Sequence, residues 1–257
     1  MIVREHGDHF LMIKQHDHAL ISGEMVLQWK KTFLLRSKLR EEADWAIAQH
    51  DAAWIPLDEH PKWNDEKNQP YTFIDYPLKE KLDAYSQGIE EISKQTLYGA
   101  MLCSMHYQSF FSRDSDDARI RAFVEAQEQK QKQLFNQMSM EVPKDIYQLH
   151  FKRLQFCDDL SLYICMQEPG TSKEEEISWF KDGFPQVFDF APQGIKARWV
   201  DESKVAVHPF PFEKPFKVAV PYKLVSKEEI RASSLEQALH QAEERERLVH
   251  FSPEEKA

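Results

Sequence analysis

The stretch 46-AIAQHDAAWIPLD-58 decides how this chain is read. It sets His50 beside Asp51 at the end of an apolar, helix-like run, with Pro56 close behind. Proline disfavours a helical residue before it, so the helix is predicted to stop between His50-Asp51 and Pro56. Two polar side chains at such an end are either ordinary helix-end residues or a pair of ligands held at a fixed place in the fold. What surrounds them decides which.

Working outward, MIVRE and HFLMIKQ read as two strands joined by a Gly7-Asp8 turn. Apolar residues between Ala19 and Trp29 predict a largely buried helix, and Thr32 to Gln49 predicts a second, with Phe33, Leu34, Ala43, Ala46 and Ile47 inward. Residues 58 to 77 carry three prolines and no period, which predicts a loop long enough to serve a function. Helical pattern returns over Leu82–Phe111, broken near Thr96, and over Ala118–Met138 and Asp145–Met166. Residues 185 to 225 alternate, as in KVAVH and FKVAVPYKLV, and predict strands with proline at their borders. Ser226-Lys227-Glu228-Glu229 reads as a capping box opening a last, heavily charged surface helix to about Val249.

The chain has 257 residues, enough for a sizeable core, and a net charge of -10 that argues against a dedicated nucleic-acid binder. A local basic pocket for a small phosphorylated substrate stays open. Cys103, Cys157 and Cys165 lie in apolar runs without a CxxC pair, as expected of buried thiols in a reducing compartment. There is no run of about 18 apolar residues to span a membrane, and the first fifteen residues lack a signal peptide's apolar core. These signs together predict a cytoplasmic protein. No GxSxG, P-loop or GxGxxG motif occurs, and seven glycines leave little material for a phosphate-cradling loop.

Four places on apolar helices carry His or Asp: Asp17-His18 opens the first, His50-Asp51 ends the second, and His106 and Asp158-Asp159 sit within two others. An unpaired buried carboxylate is costly, so residues from separate helices that meet at one cation would compensate one another. Imidazole with carboxylate suits Fe, Mn, Zn, Ni or Co, and Mg remains possible. A plainer account exists for each. Asp17 can be an N-cap with His18 beside it, and His50 a cation-friendly helix end. His106 can be a satisfied core histidine, and Asp158 can pair with Arg153 or Lys152. Trp45 and Trp54 flank the His-Asp pair and read first as packing. Lys14, Arg36, Lys38 and Arg40 are candidates for meeting a phosphate, with a solvated helix face as the default.

The order H…HD…D, each part on its own helix, resembles the HD-domain superfamily of metal-dependent phosphohydrolases. His18, His50, Asp51 and Asp158 match its four ligands in order, over about residues 10 to 168. More closely, KQHDHALISGEM, AIAQHDAAW, MLCSMHYQSFF and LQFCDDLSLYIC together look like a bacterial family known only as a domain of unknown function. Asp158 is preferred to Asp159 for its Asp-x-Leu-Ser spacing, and His18 to His16 because it directly precedes the helix. Dinuclear members of the superfamily carry two further histidines between the HD pair and the last Asp. His106 fits one; His150 is the weaker candidate for the other.

The resemblance implies a mainly α fold: an HD-like helical bundle with an accessory small β-sheet built from the N-terminal hairpin and the C-terminal strands. Residues 1–168 would hold the hairpin and helical core. Residues 169–257 would form a β-rich accessory region and a C-terminal helix, packed on the core as one domain. It also implies a divalent metal on His18, His50, Asp51 and Asp158, with His106 as a further ligand, and hydrolysis of a small phosphorylated substrate. Metal-activated water would attack phosphorus with Asp51 orienting it, and His106 or Asp58 would protonate the leaving oxygen. A di-iron oxygenase and a non-catalytic binding protein on the same scaffold are the rival readings. Oligomeric state is left open.

Overall fold

The computed structural model describes residues 1–138 and 140–254. The chain opens with a hairpin, β1 (Ile2–His6) and β2 (His9–Ile13), turned at Gly7 with φ at 57°. Then come α1 (Gln15–Leu27), α2 (Arg40–Gln49), α3 (Ile55–Glu59) and a two-residue ladder of β3 (Trp63–Asn64) and β4 (Gln69–Pro70). Four helices follow: α4 (Leu78–Ser93), α5 (Leu97–Ser109), α6 (Ala118–Gln137) and α7 (Lys144–Met166). After the short α8 (Ser178–Lys181), strands β5 (Lys196–Trp199), β6 (Lys204–His208) and β7 (Phe216–Ser226) lead to α9 (Lys227–Ala232), α10 (Leu235–Gln241) and β8 (Glu244–Pro253).

The expectation of a mainly α bundle with a small accessory sheet is corrected here. About 49% of the chain is helical and 20% is strand, and six strands form one large sheet, so the fold is an α/β mix. The strand order is β1-β2-β7-β8-β6-β5, with only β6 and β8 parallel. The sheet thus joins the first thirteen residues to the last sixty. The largest single cause of the difference is the segment expected to be a charged helix to Val249. Its helix ends at Ala232, a second short helix follows, and Glu244–Pro253 becomes a strand in the middle of the sheet.

Alternation along the strands gives the sheet two apolar faces. Leu11, Ile13, Val218 and Val220 join the main core with the helices, while Phe10, Met12 and Val225 face Leu235, Ala238 and Leu239 of α10. Helices α1 and α7 lie against the sheet, and α2 and α5 pack on α1 and α7. The α1–α2 approach is close: a Cβ on Gly23 would come within 2.5 Å of the Ala48 Cβ, so only glycine fits there. The expected single helix over Thr32–Gln49 is also shorter, because residues 34–39 leave helical geometry and Ser37 Oγ accepts from the Leu39 amide.

Candidate metal centre

Each side of the centre comes from a different helix. His18 stands one turn into α1, Asp158 lies past the middle of α7, and His106 lies near the end of α5. At the end of α2, His50 is the C-cap residue and Asp51 departs from helical geometry, with φ -113° and ψ 20°. That break turns two consecutive side chains into the same interior space. All five side chains are buried.

His18 Nε2 is 2.9 Å from Asp51 Oδ2, and His50 Nε2 is 3.3 Å from Asp158 Oδ1. His18 Nδ1 lies 3.7 Å from Asp158 Oδ1, and His106 Nε2 lies 3.6 Å from Asp158 Oδ2. Two ligand triads follow, His18-His50-Asp51 and His50-His106-Asp158, each with its donor atoms within 4.8 Å of one another. Atoms each about 2.0–2.3 Å from one ion must lie at such separations. Both triads include His50.

The hydrogen bonds behind the ligand atoms matter as much. His50 Nδ1 donates to the Ile47 carbonyl at 2.7 Å, so a neutral His50 turns a lone pair on Nε2 toward a carboxylate oxygen. Two acceptors face to face need a proton or a cation between them. In the metal-free protein a proton serves. Burial pulls the His50 imidazolium down, but its hydrogen bond to Asp158 and the charges of Asp158 and Asp51 outweigh it and carry the group up to about 9. Burial likewise pushes Asp158 up, and the His50 hydrogen bond with the His50 and His106 charges takes it down to about 2. Asp51 also ends below its ordinary value: burial is outweighed by its hydrogen bond to His18 and the charges of His50 and His18. His106 goes the other way, down to about 4, because burial outweighs the attraction of Asp158. It is a neutral imidazole at pH 7 with a buried, unpartnered Nδ1, which suits a ligand better than an acid.

Each triad could therefore hold a metal ion; together they offer three imidazoles and two carboxylates, with no Lys or Arg among them. Their supports are polar and uncharged. Gln15 Nε2 donates to Asp51 Oδ2 at 3.0 Å, and Ser161 Oγ sits 2.8 Å from His18 Nδ1, itself receiving Ser22 Oγ at 2.9 Å. Sequence reasoning used Ser161 only as the end of the Asp-x-Leu-Ser spacing and gave Gln15 and Ser22 no role, since a neutral polar residue in a helix carries little signal. Asp159 adjoins the cluster and accepts from Gln186 Nε2 at 2.7 Å; burial and then the Asp158 charge raise it to about 7.

Other candidates sit elsewhere. Asp58 is not in the cluster: its oxygens take the Met1 α-ammonium and the Gln15 amide, each at 2.5 Å, and Gln15 stands between it and Asp51. His150 is paired with Tyr98 Oη at 2.7 Å. The plainer accounts also shift. Lys14, and not Asp17, is the N-cap of α1. Arg153 pairs with Asp44 at 2.8 Å and Lys152 donates to the Val187 carbonyl, so neither neutralises Asp158. Trp54 packs on Tyr76 and Tyr85 as a core residue. Arg36, Lys38 and Arg40 line a separate surface groove with Lys31, and Lys14 lines another beside Asp17.

Among the described residues no helix is long and apolar enough to cross a membrane. No curated protein and no solved structure matches the chain. A family model does match, over residues 1–227, which takes in every helix and strand that contributes to the centre. The chain belongs to that family, described as protein of unknown function DUF3891.

Proposed function

We propose that this is an HD-like metallohydrolase acting on a small phosphorylated substrate, with His18, His50, Asp51 and Asp158 holding a divalent metal and His106 as a fifth donor. The observation that carries the reading is the pair of opposed acceptors, His50 Nε2 and Asp158 Oδ1, left facing each other because Ile47 fixes the far nitrogen of His50. Histidine ligands of metals are commonly oriented by such a bond on the other ring nitrogen. The ion, when bound, would make water a nucleophile at neutral pH and offset charge on a phosphoryl oxygen. Asp51, which accepts from Gln15 Nε2 at 3.0 Å, would orient that water and accept its hydrogen bond. Asp58 is dropped as proton donor, because both its oxygens are already engaged and Gln15 separates it from the cluster.

The test is metal content measured together with turnover of phosphomonoester and phosphodiester substrates, on full chain purified without chelator. Asp51→Ala is expected to lose metal and activity together while the fold survives, since no neutral imidazole replaces the lost charge. His106→Ala is expected to lower metal occupancy. If occupancy holds and turnover falls roughly two to four orders of magnitude, His106 acts instead as the acid. Iron with substrate-dependent oxygen uptake and no hydrolysis would replace this reading with an oxygenase.

A further inference from the structure

Above the cluster lies a cavity of about 440 Å³, floored by Asp51, Asp158 and Asp159. That volume is ordinary for a small-molecule site, which runs from about 300 to 1,000 Å³. Its rim comes from three segments: the loop after β4, the end of α5 and the short α8. They bring Phe73, Phe110 and Trp179 around the mouth, with Tyr85 deeper in the wall. Phe110 is 49% exposed, Trp179 51% and Ile74 52%. Large apolar side chains open to water around one mouth mark a surface built to be covered. The wall is also continuous with the cluster: the Phe110 ring meets the His106 ring edge-on at 4.6 Å.

The charge inventory narrows what covers it. Lys81 is the one basic side chain among the described residues that line the cavity. Two of its three N–H groups are committed, to the carbonyls of Phe73 at 3.0 Å and Ile74 at 3.2 Å. One N–H remains to meet an anion. Against it stand the three carboxylates of the floor. A divalent ion and one ammonium can accept a single phosphate, but they leave the further phosphates of a polyphosphate chain unpaired next to aromatic walls.

We infer that this cavity takes a phosphate ester of one head and a flat, apolar, ring-sized body, stacked between Phe110 and Trp179, and excludes nucleoside di- and triphosphates. The placement of the head rests on the metal-centre reading; the aromatic seat does not. Phe110 and Trp179 are half-exposed, so replacing them leaves the core intact.

The experiment is calorimetric titration of the full chain, with and without added manganese, using naphthalene-1-phosphonate, inorganic phosphate and ATP as probes. Naphthalene-1-phosphonate is expected to bind at least tenfold more tightly than either other probe. Phe110→Ala and Trp179→Ala should each weaken it about tenfold, with manganese per chain and phosphate affinity unchanged. Lys81→Gln should weaken the phosphonate and phosphate alike. ATP binding as tightly as the phosphonate, or wall variants that bind it like the wild type, overturns the inference. Manganese content keeps the two readings apart. Bound manganese with indifferent wall variants sinks the cavity assignment and leaves the metal centre. Naphthalene-1-phosphonate binding that depends on the walls, in a chain that takes neither manganese nor any other of the candidate divalent metals, supports the aromatic seat and removes the centre. A chain that binds neither probe nor metal loses both.

Discussion

Helices α2 and α7 carry two charge clusters, one toward each end of their contact, and the two are built on opposite principles. In one, Asp44 of α2 meets Arg153 of α7 at 2.8 Å, with Arg153 fully buried and stacked over Trp29 at 5.4 Å. In the other, one helical turn or more further along, Asp158 of α7 meets His50 at the end of α2, with Asp51, His18 and His106 around them. The first holds a permanent cation of its own. The second has only groups that bind a proton or a metal. A guanidinium cannot be titrated away in a protein, so the first cluster is a closed pair. The second changes state with whatever cation is supplied. The same two helices thus hold a fixed clamp and a variable centre.

Breaking the clamp should cost the most stability. Arg153→Ala leaves Asp44, whose side chain is 15% exposed, with only the more distant Arg40 at 4.0 Å as counter-charge, and burial already raises that carboxyl while Arg153 offsets it. Loss of one partner of a fully buried pair costs about 3–5 kcal/mol, and the part-exposed Asp44 with Arg40 nearby sets the expected loss at or below the low end of that range. The expected result is a correspondingly lower urea midpoint at unchanged slope. Arg153→Met combined with Asp44→Leu should recover most of the loss, because replacing both charges removes the unpaired group. Asp51→Ala should lower the midpoint far less, since water fills a polar site and the remaining imidazoles shed or gain protons. Equal losses from Arg153→Ala and Asp51→Ala would erase the contrast.

Removing the cation sharpens it from the other side. A metal bound only by the folded chain adds stability by mass action, about 2.7 kcal/mol at a free concentration of 100 times its Kd. Chelation should therefore lower the wild-type melting temperature by several degrees, about 2–4 °C per kcal/mol at this size. It should leave Asp51→Ala unmoved and should act on the Arg153→Met, Asp44→Leu chain as on the wild type. A chelator effect that survives in Asp51→Ala would place the stabilising ion elsewhere.

How much of this could be read beforehand follows from where the signal lay. His106 and Asp158 stood out because each interrupts an apolar helix, where a charge demands a reason, and His18, His50 and Asp51 because they stand at the ends of such helices. The break after Gln49 was visible through Pro56, and Thr96 did cap α5, accepting from the Gly99 amide. The large sheet was not visible, and the reason is β8. Its first residues, Glu244-Arg245-Glu246-Arg247, are mostly exposed and read as a charged helix, while only Val249 and Phe251 keep the buried period of two. Its register is set by β7 across the sheet, where Val218 faces Val249 and Lys223 faces Glu244, and by parallel pairing with β6. Neither pairing is made through a short turn, so no local residue pattern announces it. The cavity walls were hidden for a related cause: Phe73 comes from a loop and Trp179 from a four-residue helix, neither with a period to read, and Phe110 ends a helix whose pattern says nothing of what it faces.

The smallest effect concerns pH and a third polar site on α7. His150 is buried beside Tyr98 Oη at 2.7 Å, two turns before Asp158, and takes no part in the centre. Burial first, then the charges of Arg153 and Arg40, depress its pKa to about 4 from an ordinary value of 6.5. A histidine lowered on folding binds its proton more readily in the unfolded chain. Its contribution to stability is therefore fully present above pH 6.5, declines as pH falls, and is gone below about 4. His106 slopes the same way in the metal-free protein. His50, raised to about 9, slopes oppositely, favouring the folded chain below 6.5 and ceasing to do so as pH rises through 9. In chelated protein, the urea midpoint between pH 6.5 and 4 should fall with acid, and His150→Gln should flatten that fall while being less stable than wild type at pH 7. A His150→Gln midpoint that falls with acid as steeply as the wild type would assign the acid sensitivity to the centre instead, and would make α7's titrating end the one that carries the ligands.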